Sequence, residues 1–332
     1  MGRILRRVAV AGVVVVGGLF VANTSLLGPA MTGKPVLLAH RAMAQTYPPE
    51  GLENDTCTAT RIRTPEHAFL ENTLPSMQAA FTAGADIVEF DIHPTTDGHF
   101  AVLHDWTVDC RTNGKGMTRE KSLAELKALD IGYGYTADGG ATYPFRGMGV
   151  GLMPSLDEVL ATFPNKRFLI NIKSRDAEEG RKLAARLAKL PAEGRTLLTV
   201  YGDDTPIDAV RATLPDVRTM GRGVLKRCAL SYLGVGWSGY VPAACRGTML
   251  LVPVNYTWAL WGWPNRFLAR MRDVGTEVYV VGPFTGREFS TGIDTAYEVA
   301  QLPNGYDGGI WTNRIDAVAH MLKDARPDAP SK

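Results

Sequence analysis

Short apolar runs alternate along this chain with segments that have the punctuation of helices, and this alternation restricts its possible folds most strongly. The runs are mostly continuous in apolar residues, as is typical of strands buried on both faces of a parallel sheet. Nine runs qualify as strands, at residues 36–41, 87–92, 100–104, 168–173, 197–201, 217–221, 249–254, 277–281 and 309–311. The sequence therefore predicts an α/β protein built on a largely parallel sheet.

The segments between the runs carry helix start and stop signals. Pro75 opens the stretch 74–83 and Gly84 follows it, while Ser155 and Glu158 have the spacing of a capping box. Repeated strand–helix units favour a (β/α)8 TIM barrel, with a doubly wound sheet as the alternative. Only residues 93–99 join the second and third strands, too few for a crossover helix, and nine strands compete for eight places. We therefore expect an irregular barrel near those two strands.

The first 30 residues form a separate leader. Arg3, Arg6 and Arg7 precede an apolar run at residues 8–22, as in a signal peptide or a membrane anchor with its N-terminus inside. A clear small-residue cleavage site does not follow, so the sequence favours an anchor at residues 8–30, with a cleaved signal peptide as the alternative. Both place the body, residues 31–323, in the periplasm or on the extracytoplasmic face. The tail at 324–332 has the composition of a disordered segment.

Charge and cysteine content narrow the functional classes. The chain holds 36 Lys and Arg against 34 Asp and Glu, without the basic surplus that nucleic-acid binding requires. In an oxidising compartment the four cysteines allow two disulfides with three connectivities. Proximity along the chain favours Cys57–Cys110 and Cys228–Cys245. None of the spacings is that of a zinc or redox CxxC site.

Ionisable side chains collect at the ends of the early strands. His40 and His104 end two strands, and Arg41 follows His40 directly. Glu89 and Asp91 lie two residues apart in another strand and so share one of its faces. Two carboxylates this close need a cation or a shared proton. Because catalytic groups of TIM barrels lie at the carboxyl ends of strands, this set indicates metal-assisted acid–base chemistry on an anionic group.

The ordered motifs of the first half resemble those of the glycerophosphodiester phosphodiesterase family, a branch of the phosphatidylinositol-phospholipase-C-like barrels. Any one of these motifs is weak, but the ordered set is specific, and it covers roughly residues 35–175. The motifs are His40-Arg41, Glu71-Asn72-Thr73, Gly84-Ala85-Asp86, Glu89-Phe90-Asp91, Thr96-Asp97-Gly98, His104-Asp105, Met153-Pro154-Ser155-Leu156-Asp157-Glu158 and Ile170-Asn171-Ile172-Lys173.

The resemblance implies metal-dependent hydrolysis of glycerophosphodiesters to an alcohol and glycerol 3-phosphate. A glycerol hydroxyl attacks phosphorus, two histidines transfer protons, and water opens the cyclic phosphate. The implied roles are His40 and His104 as the acid–base pair, Arg41 and Lys173 as phosphate-binding groups, Glu89 and Asp91 as ligands of Ca²⁺ or Mg²⁺, and Glu71 as a charge partner or possible further ligand.

Two positions depart from the family pattern. Ala42 stands where the family usually has Gly, and Asn171 stands where it has a third metal carboxylate. Asn171 is therefore a doubtful third ligand, and it keeps open a barrel that binds phosphodiesters without cleaving them. The enzyme alternative is a phospholipase C- or D-like enzyme that acts on intact membrane lipids.

Three further features carry expectations. The segment 43–70 is long for a connection after a barrel strand, and we expect a disulfide-pinned cover over the site. The aromatic residues of 255–267 indicate either a packed cap or a substrate wall or membrane-interface loop. His67, His93 and His99 are interpreted as loop or surface residues.

Overall fold

All nine predicted strands are present in a computed structural model of the protein, which describes residues 2–53, 56–286 and 291–324. Their bounds follow the apolar runs to within two residues. The strands are β1 (Val36–Ala39), β2 (Ile87–Pro94), β3 (Phe100–Val102), β4 (Arg167–Ile172), β5 (Leu198–Gly202), β6 (Arg218–Gly221), β7 (Met249–Pro253), β8 (Glu277–Val281) and β9 (Gly309–Thr312).

Eight of these strands form a nearly closed parallel barrel in the order β6-β5-β4-β2-β1-β9-β8-β7. The strand β3 lies off this path and pairs antiparallel with β2, so it is the ninth strand that the sequence predicts to be left out of the barrel. A side-chain hydrogen bond from Thr248 Oγ1 to the Thr219 carbonyl (2.7 Å) crosses the seam between β6 and β7. The TIM-barrel prediction is confirmed, including its irregularity near the second and third strands.

Alternation along each strand separates two hydrophobic layers. Residues of one parity, such as Leu38, Ile87 and Leu169, pack together inside the barrel, and Trp311 joins them. Residues of the other parity, such as Phe90, pack against the surrounding helices. Since both faces are covered, the strands read as continuous apolar runs.

Helices follow most strands, as the sequence predicts. The helix α2 begins with a capping box between Thr73 and Ser76 and ends at Gly84, whose φ of 117° suits glycine. The helices are α1 (Gly2–Asn23), α2 (Leu74–Ala83), α3 (Leu123–Lys127), α4 (Leu156–Thr162), α5 (Ala177–Leu187), α6 (Ala192–Thr196), α7 (Asp204–Thr213), α8 (Arg222–Val235), α9 (Asn265–Asp273), α10 (Ala296–Ala300) and α11 (Ile315–Asp324).

Residues 103–155, between β3 and α4, leave the barrel and build a second, smaller core with the segment 43–70. We call residues 103–155 the excursion. Leu126, Tyr135 and Phe145 of the excursion pack with Ile62 and Leu70 of that segment. The disulfide Cys57–Cys110 joins the two parts (Cα–Cα 5.7 Å). The expected disulfide-pinned segment is therefore present, but the sequence did not reveal that the excursion packs against it.

Both predicted disulfides are formed. Besides Cys57–Cys110, Cys228 of α8 pairs with Cys245 (Cα–Cα 4.8 Å), and both of these residues are buried. The second bridge ties the middle of α8 to the turn before β7.

The leader forms α1, a 22-residue helix with a mean hydropathy of 2.1 and no buried residue. It is long and apolar enough to cross a membrane, a property that signal sequences share. The predicted tail is 324–332; α11 includes its first residue, and residues 325–332 lie outside the described residues.

We expect removal of the Cys57–Cys110 bridge to destabilise the small core more than the barrel. The double variant Cys57→Ser/Cys110→Ser should lose about 2–5 kcal/mol of unfolding free energy, because the unfolded chain gains entropy when a long loop is opened. Denaturant unfolding followed by circular dichroism measures the loss, and proteolysis should cleave first within 43–70 or 103–155. First cleavage in the barrel helices would contradict this assignment.

Candidate active site

The carboxylates of β2 point into the mouth of the barrel because Glu89 and Asp91 have the inward parity. The strand register places Asp91 beside Asn171, and Asn171 beside Tyr201 of β5. Asn171 Nδ2 donates to Asp91 Oδ1 (2.8 Å), and the Tyr201 hydroxyl donates to Glu89 Oε1 (2.6 Å). Both carboxylates are almost wholly buried. Tyr201 is a site residue that sequence reasoning missed, although its position at the end of a strand was a usable signal.

The turn after β1 delivers His40 and Arg41 to the same place. Arg41 and Ala42 both adopt left-handed backbone conformations, with φ of 56° and 65°. The Arg41 amide donates to Glu89 Oε2 (3.1 Å), and the Arg41 carbonyl accepts from the Asn72 amide (3.2 Å). These bonds hold a conformation that disfavours side chains. The turn therefore forms with Ala42 in place of the family's glycine.

His40 is oriented by residues from the far end of the chain. Its Nδ1 lies 2.6 Å from Asn313 Oδ1, and Asn313 Nδ2 donates to Asp294 Oδ2 (2.8 Å). Because Asp294 fixes the amide with its oxygen toward the imidazole, His40 carries its proton on Nδ1. Its Nε2 then faces the site, 3.8 Å from Glu89 Oε2. Sequence reasoning missed both Asn313 and Asp294, since no motif links them to residue 40.

His104 is oriented by a carboxylate instead of an amide. Its Nδ1 lies 2.8 Å from Asp105 Oδ1, and Asp105 Oδ2 accepts from Arg111 Nε (2.8 Å). This pair favours the Nδ1–H tautomer and stabilises an imidazolium when it forms. The two candidate catalytic histidines therefore have different partners, one neutral and one anionic.

Arg111 connects the excursion to the site through buried contacts. Besides Asp105, it contacts Glu71 Oε2 (3.0 Å), Thr58 Oγ1 (2.7 Å) and the Tyr135 hydroxyl (2.5 Å). The other oxygen of Glu71 accepts from Arg41 Nη1 (3.2 Å). Glu71 is thus a charge partner of two arginines, which was one of the two roles considered for it. Arg111 was not anticipated from the sequence.

Burial and mutual repulsion push the carboxyl pKa values of β2 apart. Burial, together with the charge of Asp91, raises the pKa of Glu89 to about 8. Burial also acts to raise the pKa of Asp91, but the charges of Lys173, His104 and Arg41 outweigh it and lower that pKa. Without a cation, the pair therefore carries one negative charge near neutral pH.

The histidines of the site are held neutral. Burial, with the nearby charge of Arg41, lowers the pKa of His40 to about 3. The same two effects lower the pKa of His104. His93 is also buried, and burial with the charge of Lys173 lowers its pKa to about 4. Placing His93 in a loop or on the surface was wrong, because β2 continues to Pro94 and pairs there with β3; His67 is half-buried in a loop and His99 is exposed.

Oxygen atoms without partners surround the Glu89–Asp91 pair. The side-chain oxygens of Asn171 and Asn72 are buried and accept no hydrogen bond, although the amide group of each donates to Asp91. Two carboxylates and two amide oxygens are the donor type that Ca²⁺ and Mg²⁺ prefer, so these residues fit a hard divalent cation. Within the described residues, no three His, Cys, Asp or Glu side chains gather as a metal site.

Lys173 lies between the carboxylates and an open pocket. Its Nζ is 3.7 Å from Asp91 Oδ1, and its side chain is nearly buried. A cavity of about 500 Å³ begins at Lys173 and is lined by Trp106, Arg119 and Arg222 among others. The structure therefore brings together His40, Arg41, Glu71, Glu89, Asp91, His104, Asn171 and Lys173 at one end of the barrel.

The aromatic residues of 255–267 divide into two groups. Phe267 is buried and packs against Trp263 (ring centroids 5.8 Å), as expected for a packed cap. Tyr256 and Trp258 are exposed, Trp258 to 81%. The packed-cap interpretation thus describes one half of the cluster.

We expect Arg111→Met to destabilise the protein strongly, by about 3–5 kcal/mol, because Glu71 and Asp105 would lose a buried partner. Arg111→Lys should rescue little, since one ammonium cannot replace contacts made in three directions. Urea unfolding of both variants measures the loss. Arg181→Met, at an exposed ion pair of α5, serves as control and should change stability little. Equal losses of unfolding free energy in the Arg111→Met and Arg181→Met variants would contradict the role of Arg111 as a buried partner of Glu71 and Asp105.

Comparisons with known proteins match the motif-bearing part of the chain to one family. The family model for the glycerophosphoryl diester phosphodiesterase family matches residues 40–197. A glycerophosphodiester phosphodiesterase of Caldanaerobacter subterraneus is 32% identical over 167 residues, 48% of this chain and 63% of the relative. One from Bacillus subtilis is 37% identical over 125 residues, 36% of this chain and 41% of the relative. The chain thus spans less than two thirds of the length of these relatives.

Solved structures extend the likeness of fold beyond the matched segment. A glycerophosphodiester phosphodiesterase from Agrobacterium tumefaciens superposes with a TM-score of 0.58 at 20% identity, covering 86% of this chain and 98% of the other. A phosphodiesterase from Oleispira antarctica, solved with the product sn-glycerol-3-phosphate, gives 0.53 at 16% identity, covering 87% of this chain and 97% of the other. These likenesses show the barrel fold. The match over residues 40–197 and the curated relatives make that segment of the chain similar to the glycerophosphodiester phosphodiesterase family.

Proposed function

We propose that the protein hydrolyses glycerophosphodiesters to an alcohol and glycerol 3-phosphate. One observation carries the proposal. Two histidines with different hydrogen-bond partners meet the carboxylates of β2 and the cationic side chains of Arg41 and Lys173 at the mouth of the barrel. The names of the curated relatives and the product bound to the Oleispira antarctica enzyme support the same substrate class.

The hydrogen-bond partners assign the two histidines different tasks. His40 is neutral, and its Nε2 lone pair faces the site, so it accepts the proton of the glycerol hydroxyl that attacks phosphorus. His104 faces Asp105, which stabilises its protonated form, so it donates a proton to the departing alcohol. An anionic phosphate bound nearby raises the pKa of both imidazoles toward the range useful for catalysis. Water then opens the cyclic phosphate with the two roles reversed.

Arg41 and Lys173 bind the phosphoryl oxygens. Each lies within 4 Å of Asp91, Arg41 at 3.9 Å and Lys173 at 3.7 Å. Arg41 Nε is buried and makes no hydrogen bond, so a donor is available for an incoming oxygen. A planar guanidinium and an ammonium from two strands fix the phosphate against the histidines.

Glu89 and Asp91 would hold a divalent cation, with Asn171 as a neutral third ligand. When bound, the cation would supply positive charge to the phosphoryl oxygens. It would also offset the burial that raises the pKa of Glu89. Glu71 is a possible contributor only if it leaves Arg41 and Arg111. The identity of the ion, Ca²⁺ or Mg²⁺, is part of the measurement below.

We expect His40→Ala and His104→Ala each to lower kcat by about 10²–10⁴, because each removes a proton-transfer group. The exposed His99→Ala serves as control and should retain parent activity. Release of glycerol 3-phosphate from glycerophosphocholine measures the rates, with circular dichroism to verify folding. A folded His40 or His104 variant with parent activity would contradict the acid–base assignment.

We expect Asn171→Glu to tighten divalent-cation binding, because a third carboxylate adds charge where an amide oxygen has no partner. Calorimetric titration of Ca²⁺ and Mg²⁺ into both proteins measures the change without relying on activity. Lower stability with no gain in affinity would show that Asn171 is only a core amide, since the new charge would be buried unpaired.

The two rival functions are separated by the choice of substrate. A phospholipase C- or D-like enzyme would cleave intact phospholipid in vesicles but not soluble glycerophosphocholine. A binding barrel would cleave neither.

We also propose that the domain is exported, because α1 has the form of a leader and both disulfides suit an oxidising compartment.

A further inference from the structure

Apolar side chains are exposed at the end of α8 and in the turn that follows it. Leu230 and Leu233 are three residues apart in α8 and share one face, and Trp237 lies in the turn Gly236–Ser238 just after the helix. The three are 61%, 40% and 46% exposed. Trp261 joins them, because its indole donates to the Leu233 carbonyl (2.9 Å). We call these four residues the α8 patch. Adjoining apolar residues of this size on a surface indicate a contact with another phase or molecule.

The α8 patch adjoins the C-terminal end of α1. Asn23, the last residue of α1, donates from Nδ2 to the Trp237 carbonyl (2.8 Å). Arg270 of α9 donates to the side chain of Asn23 (3.2 Å) and to the Ala22 carbonyl (3.1 Å). The barrel thus grips the end of the one described helix that is long and apolar enough to span a membrane. If α1 spans a bilayer, the α8 patch lies at the level where α1 leaves it.

The composition around the α8 patch suits a lipid headgroup layer. Leu26 and Leu27, just after α1, are 87% and 60% exposed. The first half of α8 carries Arg222, Lys226 and Arg227, all exposed, and the helix contains no acidic residue. Exposed tryptophan and leucine side chains together with basic residues are the composition of interfacial helices.

We propose that the α8 patch is a membrane-contact surface that seats the barrel on the lipid headgroups beside α1. The barrel is then held on the bilayer in a fixed orientation by two contacts, α1 and the α8 patch, instead of being attached through α1 alone. Since α8 begins at Arg222, which lines the cavity at Lys173, one helix connects the membrane contact with the edge of the candidate active site. The proposal does not depend on the phosphodiesterase activity.

The test uses the full chain reconstituted in phosphatidylcholine vesicles with brominated acyl chains, which quench tryptophan near the bilayer. We expect Trp237→Phe and Trp261→Phe each to remove about one third to one half of the bromine-dependent quenching, as expected for interfacial indoles. Trp106→Phe, in the cavity, is the control and should leave it unchanged. Quenching as strong in both patch variants as in the parent overturns the proposal.

A gain-of-signal pair guards against misfolded variants. Leu230→Trp places an indole at an exposed patch position and should increase quenching, whereas Lys182→Trp, at an exposed position of α5, should not. Equal quenching of the two added indoles would overturn the proposal.

Discussion

Burial of Glu89 and Asp91 side by side is the constraint on which the rest of the site depends. Two carboxylates in the barrel mouth cannot both be charged without compensation, and the structure supplies it from four directions. Arg41 comes from the turn after β1, Lys173 from the end of β4, Asn171 from within β4 and Tyr201 from β5. Each of these groups is also suited to binding a phosphate or a cation, so compensation and function use the same atoms.

Arg111 extends this compensation beyond the barrel. It binds Asp105, which orients His104, and Glu71, which pairs with Arg41. Because Arg111 lies in the excursion, the smaller core and its disulfide are coupled to both phosphate-binding and proton-transfer groups. Without Arg111, and among the described residues, Glu71 would keep only Arg41 and Asp105 only His104 as charged or polar partners in a buried site.

The two histidines differ because their partners differ in charge. An amide beside His40 fixes its tautomer without favouring protonation, whereas a carboxylate beside His104 favours the cation. The partner of His40 comes from the loop after β9, more than 270 residues away along the chain. Closure of the barrel between β1 and β9 is therefore what completes the first histidine.

The sequence by itself predicted the nine strands, the strand left outside the barrel, both disulfide pairs and the set of motif residues. Apolar runs, helix caps and fixed spacings are local properties, and they survive without tertiary information. Only the tertiary structure decided that Tyr201, Asn313, Asp294 and Arg111 belong to the site, because they are brought there by strand register, barrel closure and packing of two distant segments. It also decided the burial of His93, since β3 covers a strand end that the sequence pattern leaves open.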